Sequence, residues 1–268
     1  MKATCPAAGG AGSFHNVLKL RYPQLELIIF YQNQILMKTS LYFLLLASAF
    51  ALFTSCQKEE EEVAMTEEEA VEVIESAMSA EAQGVAGEAA DAAEAAGAYA
   101  VESLCGMSGD SSLTYSINQL NLQASYTINW SWALVCQGFI PNILEFNRTT
   151  AGTYETNRLK SDDSAESDWD ISNLVTGTDY KLNGVYTREG SQESKIGQQN
   201  SFTSTLTVTA TDILIDKATQ VIDGGTAAFT LSASGSGGAN VSYTGTIVFN
   251  GNQSGTLTIN GTSYPINW

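Results

Sequence analysis

The chain has 268 residues and a formal net charge of −17, from 12 Lys and Arg against 29 Asp and Glu. This length is enough for one or two domains, each with a buried core. The acidic excess excludes nucleic acids and anionic membrane surfaces as main partners, because phosphate groups are bound through clusters of Lys and Arg.

Residues 37–55 have the pattern of an export signal. Lys38 follows Met37, and Leu41 to Phe53 is a run of 13 residues without a charge. A membrane-spanning helix needs about 20 apolar residues, whereas a positive start and a shorter apolar run are typical of a secretory signal peptide. We therefore predict that residues 37–55 are removed during export.

The end of this segment resembles a bacterial lipobox, in which the signal is cut before a Cys whose sulfur receives a diacylglycerol. The matching residues are Phe53-Thr54-Ser55-Cys56, although Phe53 stands where a lipobox usually has Leu. The resemblance implies that Cys56 is the lipidated N-terminus of the mature protein. The alternative is an ordinary signal peptide in which Cys56 has no such role.

The residues after this Cys resemble the surface-export signal of some Bacteroidota lipoproteins, which is a Lys and acidic residues directly after the acylated Cys. They are Gln57, Lys58, Glu59 and Glu60, followed by two further Glu. The resemblance implies a lipid anchor in the outer membrane, with the protein facing the cell exterior. As a block of like charges, the same residues also suit a solvated spacer, and we predict an acidic tether over residues 56–65.

Residues 1–36 precede the signal, and we predict that they are absent from the mature protein. Either Met37 is the true start and residues 1–36 are upstream sequence joined by a wrong start codon, or they form a long leader. Cys5 and the chain's single His, His15, lie in this stretch. The mature chain then has no His, and its cysteines are Cys56, Cys105 and Cys136.

Residues 66–104 predict a helical segment. Thr66 and Glu69 fit a capping box, in which each side chain accepts a hydrogen bond from the other residue's backbone N–H. Apolar residues then recur at helical spacing up to Met78. Further on the sequence is rich in Ala but contains Gly84, Gly87 and Gly97, so we expect one broken helix or two consecutive helices. A partly disordered acidic stalk is the alternative.

After Cys105 the apolar period changes to two, which predicts β-strands. The clearest strand has six apolar residues at alternate positions: Tyr126, Ile128, Trp130, Trp132, Leu134 and Cys136. In another, apolar residues between Phe202 and Ala210 alternate with a series of Thr. We place Trp130 and Trp132 in the core on the covered face, with an aromatic ligand site as the alternative.

The chain ends in a predicted three-stranded meander. Its turns are assigned to Asn250-Gly251 and Asn260-Gly261, because Asn-Gly favours tight hairpins. Alternation with one apolar side is typical of an antiparallel sheet with one covered face. We therefore predict one α+β domain, in which the helical segment packs on, or is surrounded by, a large meandering antiparallel sheet over residues 105–268.

An exported location favours a disulfide between Cys105 and Cys136, with two buried free thiols as the alternative. Without a His in the mature chain, a thiol nucleophile, a Ser-His-Asp triad and the usual zinc sites are disfavoured. We expect no cofactor and no enzymatic activity. A pair of carboxylates acting as a glycosidase is the remaining enzymatic alternative.

Residues 161–170 form an acidic run, SDDSAESDWD. Its carboxylates make it a calcium candidate, with Asp162, Asp163, Asp168 and Asp170 as possible oxygen ligands. Their spacing does not match an EF-hand, so we favour a solvated acidic loop. Within the run, Asp163-Ser164-Ala165 resembles the short O-glycosylation acceptor of exported Bacteroidota proteins, which implies a glycan on Ser164.

Two function classes follow. The first is a surface lipoprotein that binds a protein or glycan partner or has a structural role in the cell envelope. The second is a carrier of lipid or apolar ligand, because the order of helix and then strands resembles the half-barrel lipoprotein chaperones; an apolar cavity between helices and sheet would favour it. We expect a monomer whose membrane partner is outer-membrane lipid, through the acylated Cys56.

Overall fold

The protein is built from one antiparallel sheet with two helices against one of its faces. The computed structural model describes residues 64–268. Helix α1 (Glu67–Met78) and helix α2 (Val85–Tyr99) come first, and a 3-10 turn at Glu102–Leu104 leads into the sheet. Its strands are β1 (Ser108–Gln119), β2 (Leu122–Gln137), β3 (Ile140–Thr156), β4 (Leu159–Ser172), β5 (Asp179–Ser194), β6 (Ser201–Asp216), β7 (Ile222–Gly235), β8 (Asn240–Gly251), β9 (Ser254–Ile259) and β10 (Thr262–Asn267).

Every strand pairs with its neighbours in the chain. The spatial order therefore runs from β1 to β10 without a crossover, and all pairs are antiparallel. The sheet is open: within residues 64–268, β1 pairs only with β2 and β10 only with β9. This confirms the predicted α+β class with a large meandering antiparallel sheet.

The predicted helical segment, residues 66–104, forms two consecutive helices and a short 3-10 turn. The side chain of Thr66 accepts from the backbone N–H of Glu69, and the Glu69 carboxylate accepts from the backbone N–H of Thr66, so the capping box is present. The break falls at Gly84, which caps α2. A Cβ at this position would lie 2.0 Å from the carbonyl oxygen of Ala77, so only glycine fits there.

The core lies between the helices and one face of the sheet. Small residues dominate the helical side, and those with no exposed surface include Ala70, Ala77, Ala89 and Ala92. Their short side chains allow the helices to lie close to large residues of the sheet, such as Phe146, Trp169 and Tyr186. Ala64 and Met65, the last two residues of the predicted tether, are also buried.

Alternation along the strands separates this covered face from a wet outer face. In β6, Phe202, Leu206, Val208 and Ala210 are buried, while the intervening Thr residues are exposed or half-exposed, as predicted. Trp132 is buried and stacks on Tyr99 with 4.2 Å between ring centroids. Trp130 lies on the same face but is only half-buried, because it is next to the uncovered edge strand β1.

The acidic run at residues 161–170 is not a loop. It lies inside β4, with every second residue buried and the intervening residues exposed. The period of two was present in the sequence, but the inward positions carry small or polar residues, including Ser161, Asp163 and Ser167. The apolar signal that identifies a strand was therefore missing.

One of the two predicted Asn-Gly turns is shifted. Asn260 and Gly261 have φ angles of 50° and 89° and form the last hairpin turn, as predicted. In the preceding hairpin, Gly251 is the last residue of β8, and Asn252 and Gln253 form the turn with φ angles of 53° and 57°. The second Asn of the sequence Asn-Gly-Asn therefore takes the left-handed conformation that the first was expected to take.

Candidate functional site

The predicted lipidation site and export signal lie outside the described residues. Cys56, Gln57, Lys58, Glu59 and Glu60 therefore remain predictions from the sequence, as do the signal peptide and residues 1–36. Within residues 64–268, neither helix is long and apolar enough to cross a membrane.

Cys105 and Cys136 form the predicted disulfide, with an S–S distance of 2.05 Å. The bond joins the segment after the helices to the end of β2, over a sequence separation of 31. Both sulfur atoms are thus used structurally, and neither thiol is free for chemistry or metal binding.

The four calcium candidates do not converge. Asp162, Asp168 and Asp170 are on the outer face, whereas Asp163 points inward and is buried against Arg188. Across the part of the chain that the structure describes, no group of three or more His, Cys, Asp or Glu side chains is arranged to hold a metal ion. Ser164 is exposed on the outer face, so its glycosylation stays a prediction that is sterically allowed.

A buried ion pair connects α1 to the sheet at β4 and β5. The Arg188 guanidinium lies 2.6 Å from the Asp163 carboxylate and donates to the Tyr126 hydroxyl at 3.0 Å and to the carbonyl oxygen of Ser76, in α1, at 3.5 Å. Ser161 also donates to Asp163, at 2.6 Å. Burial works against the charged form of Arg188, but Tyr186 and Asp163 beside it raise its pKa above the ordinary value.

A second buried cluster connects α2 to β3 and β4. Arg148 lies 3.6 Å from the Glu88 carboxylate and 3.2 Å from that of Asp91, and it donates to Gln83. The indole N–H of Trp169 donates to Glu88 at 2.8 Å. Burial raises the pKa of Glu88, and Arg148 only partly opposes this. Both clusters have the arrangement of structural contacts, since they hold helices to the sheet through groups that are buried except for the half-exposed Asp91.

Neither cluster was predicted from the sequence. Arg148 and Arg188 are residue types that are almost never fully buried unless paired. The available signal was position: each Arg has the same parity along its strand as buried residues such as Phe146 and Tyr186. Neither Arg was assigned to the core or to a site from the sequence, because its residue type argues against burial.

The outer face presents the other candidate site. Two rows of polar side chains cross strands β1–β4 side by side: Asp110, Ser131, Asn147 and Asp168 in one, and Ser112, Asn129, Thr149 and Glu166 in the other. Neighbours within a row are about 5 Å apart, and the rows, two residues apart along each strand, are separated by about 7 Å. They line an open groove of about 540 Å³.

The electrostatics of the outer face differ between its two halves. Over β3–β5 it carries an excess of acids. The strand bases on this face are Lys160 and Lys181, and Lys195, just after β5, pairs with Glu155 at 2.8 Å. The acids are Glu145, Glu155, Asp162, Glu166, Asp168, Asp170, Asp179, Glu189 and Glu193. Over β6–β9 it is lined mainly by Thr and Ser. The groove lies at the acidic side, so its chemistry is that of carboxylates, amides and hydroxyls in a solvated setting.

No family model, curated protein or solved structure matches this chain. Its function is therefore inferred from the residues and their geometry.

Proposed function

We propose that this protein is a non-enzymatic, lipid-anchored protein of the bacterial outer membrane that binds a hydroxyl-rich ligand of the glycan class in its outer groove. The main support for this proposal is that the two faces of the sheet differ, one being covered by helices and the other open and polar. One face is filled by α1 and α2, and the other presents the groove between the Asp110 and Ser112 rows.

The filled side disfavours the carrier of apolar ligands. Residues of α1 and α2 such as Ile74, Met78, Val85 and Ala92 have no exposed surface. They pack in one cluster with the inward residues of the sheet. A carrier needs an open apolar site of about 300 Å³ or more, whereas here the helices cover the sheet except beside β1, where the cleft at Leu113 has about 210 Å³.

The polar groups of the groove suit a ligand with many hydroxyls. The carboxylates of Asp110, Glu166 and Asp168 accept hydrogen bonds, and the amides of Asn129 and Asn147 both donate and accept. A sugar hydroxyl can satisfy both kinds of group. The three carboxylates repel anionic glycans, so a neutral or amino sugar fits the charge of the site.

The lipid anchor in this proposal is supported by the sequence alone, and mass spectrometry tests it. The mature protein should begin at an acylated Cys56, without peptides from residues 1–36. Protease added to intact cells should degrade the β-sheet domain if it faces outward. A peptide spanning Lys19 to Arg21, or a domain that survives until the outer membrane is opened, would contradict the processing or the display.

Binding is tested with panels of neutral, amino and acidic glycans. We expect neutral or amino glycans to be retained, and the double variant Glu166→Gln, Asp168→Asn to lower the affinity about tenfold, which corresponds to 1.4 kcal/mol of lost charged hydrogen bonding. Glu193→Gln is the matched control, because Glu193 is an exposed acid on the outer face outside the groove. Equal loss in the control, binding of acidic glycans only, or hydrolysis of the glycan would contradict the proposal.

A further inference from the structure

The two edges of the open sheet are protected to different degrees. An unpaired edge strand exposes a row of N–H and C=O groups that another strand can bind, and proteins usually block it with short strands, Pro, Lys or bulges. Edge strand β10 has 6 residues, includes Pro265, and has its Asn267 N–H bonded to Glu75 of α1 at 3.0 Å. These features make β10 a poor template for another strand.

Edge strand β1 has none of these protections. It has 12 residues, pairs with β2 without a bulge, and contains no Pro or Lys and a single charge, Asp110. On the covered side of the sheet it also carries apolar residues that the helices leave uncovered. Leu113 is 45% exposed, and Tyr115 and Ile117 are partly exposed. A cleft of about 210 Å³ lined by Leu113 and Trp130 separates this strand from α2.

We propose that β1 pairs antiparallel with β1 of a second copy of this chain, forming a two-fold symmetric dimer with one continuous sheet of both copies. In such an isologous pair, residue i faces residue j and residue j faces residue i. Opposed residues must also lie on the same face of the sheet, so i and j have the same parity.

The register centred on Thr114 satisfies these conditions. Thr114 of one chain then faces Thr114 of the other, and Leu113 of each chain faces Tyr115 of the other. Asp110 faces Asn118, so no two carboxylates are opposed. Almost the whole of the strand is paired, and the uncovered apolar residues of both copies become neighbours, which removes apolar surface from water.

The chain's own N-terminal segment is a poor occupant of this edge. Ala64 lies against Gly235, and the carbonyl oxygen of Met65 accepts from Tyr243, so the chain enters the described structure beside β7 and β8. With cleavage before Cys56, as in the proposed function, eight residues precede Ala64. They span at most about 29 Å, which is about the width of the six strand spacings from β7 to β1. No length would remain for pairing with β1.

Dimerisation would place both binding grooves on one surface. Asp110 and Ser112 of β1 contribute to the groove, and the two copies of β1 lie at the centre of the joined sheet. The outer faces then form one wide surface with two ligand sites. A ligand with repeated units would bind both sites at once, with higher effective affinity than a single site provides.

Thiol crosslinking and mass measurement test the dimer. Thr114→Cys adds one free thiol to the purified full chain, and mild oxidation should convert most of it to a disulfide-linked species of twice the monomer mass. Thr127→Cys is the matched control, because Thr127 is exposed on the same face opposite Thr114 but on the interior strand β2. It should not crosslink above background.

A second variant covers the case in which the new Cys disturbs folding. Light scattering on the chain in detergent should give twice the monomer protein mass for the wild type and for Thr127→Lys. It should give the monomer mass for Thr114→Lys, in which two ammonium groups would be opposed. A monomeric wild type, as expected from the sequence, or equal crosslinking of both Cys variants would overturn the proposal. Loss of glycan binding would leave these results unchanged, because they depend on residues 108–119. If Cys56 is not lipidated, both Cys variants are made with Cys56→Ser, because its free thiol would otherwise crosslink.

Discussion

The buried pair Asp163–Arg188 allows a quantitative test of how the helices are held to the sheet. Its side chains are 1% and 5% exposed, respectively. Arg188→Met leaves the Asp163 carboxylate buried with only hydroxyl partners, and breaking a buried pair in this way costs about 3–5 kcal/mol. Asp163→Leu leaves the guanidinium unpaired and should cost about the same.

The double variant separates the value of the pair from the cost of an unpaired charge. It removes both charges, so the remaining cost is that of the buried hydroxyls of Tyr126 and Ser161 that lose a partner, about 1–3 kcal/mol for each unsatisfied group. We expect the double variant to be no less stable than either single variant. The coupling energy should then be at least about 3 kcal/mol.

Urea unfolding of the four proteins measures this coupling. The exposed pair Lys181–Asp212, with side chains 40% and 56% exposed and 3.0 Å apart, is the control. Its coupling should be below about 1 kcal/mol. If the two single effects at Asp163 and Arg188 add to within about 0.5 kcal/mol, the argument from buried charge is wrong.

Two further predictions concern the disulfide and the pH dependence of stability. Replacing Cys105 and Cys136 by Ala should lower the free energy of unfolding by about 3–4 kcal/mol for this loop length, and reduced wild type should match the variant; an unchanged urea midpoint would contradict this. Burial raises the pKa of Glu88 above its ordinary value of 4.5, so ionising Glu88 lowers the stability of the folded state. The free energy of unfolding of Glu88→Gln should therefore rise relative to that of the wild type as pH increases from 4.5. At Glu69 burial is outweighed by backbone N–H donors, chiefly that of Thr66, which lower its pKa. Glu69→Gln should therefore lose stability relative to the wild type as pH rises, measured by urea midpoints between about pH 3 and 8. Trends of the same sign for both variants would refute the opposite pKa shifts.

Local patterns in the sequence predicted much of the fold. The capping box at Thr66, the alternation from Tyr126 to Leu134 and the last Asn-Gly turn each depend on residues a few positions apart. The disulfide is an exception, because its cysteines are 31 residues apart and were paired by counting the cysteines left after the predicted signal. The three local features follow from short-range sterics and hydrogen bonding, which a single sequence displays.

The candidate sites were hidden because they depend on register between strands. That Asp168 lies opposite Asn147, and Asn147 opposite Ser131, is set by turn lengths and by bulges such as the one near Cys136. A shift of one residue would send each of these side chains to the other face. The buried Arg188 depends in turn on Asp163 as its partner, 25 residues away in the chain.

The order of elements along the chain has a consequence for how the protein is made. α1 and the residues just before it come first, but their contacts extend to the last strands: Tyr243 donates to Met65 over 178 residues, and Tyr264 to Glu67 over 197. In a chain delivered N-terminus first, hairpins can close one after another as they emerge, because each strand pairs with the strand before it. The apolar faces of α1 and α2 have no complete sheet to cover them until the final hairpin arrives. The apolar faces of the helices thus stay exposed longest while the chain folds, and they are the surface that a chaperone would bind.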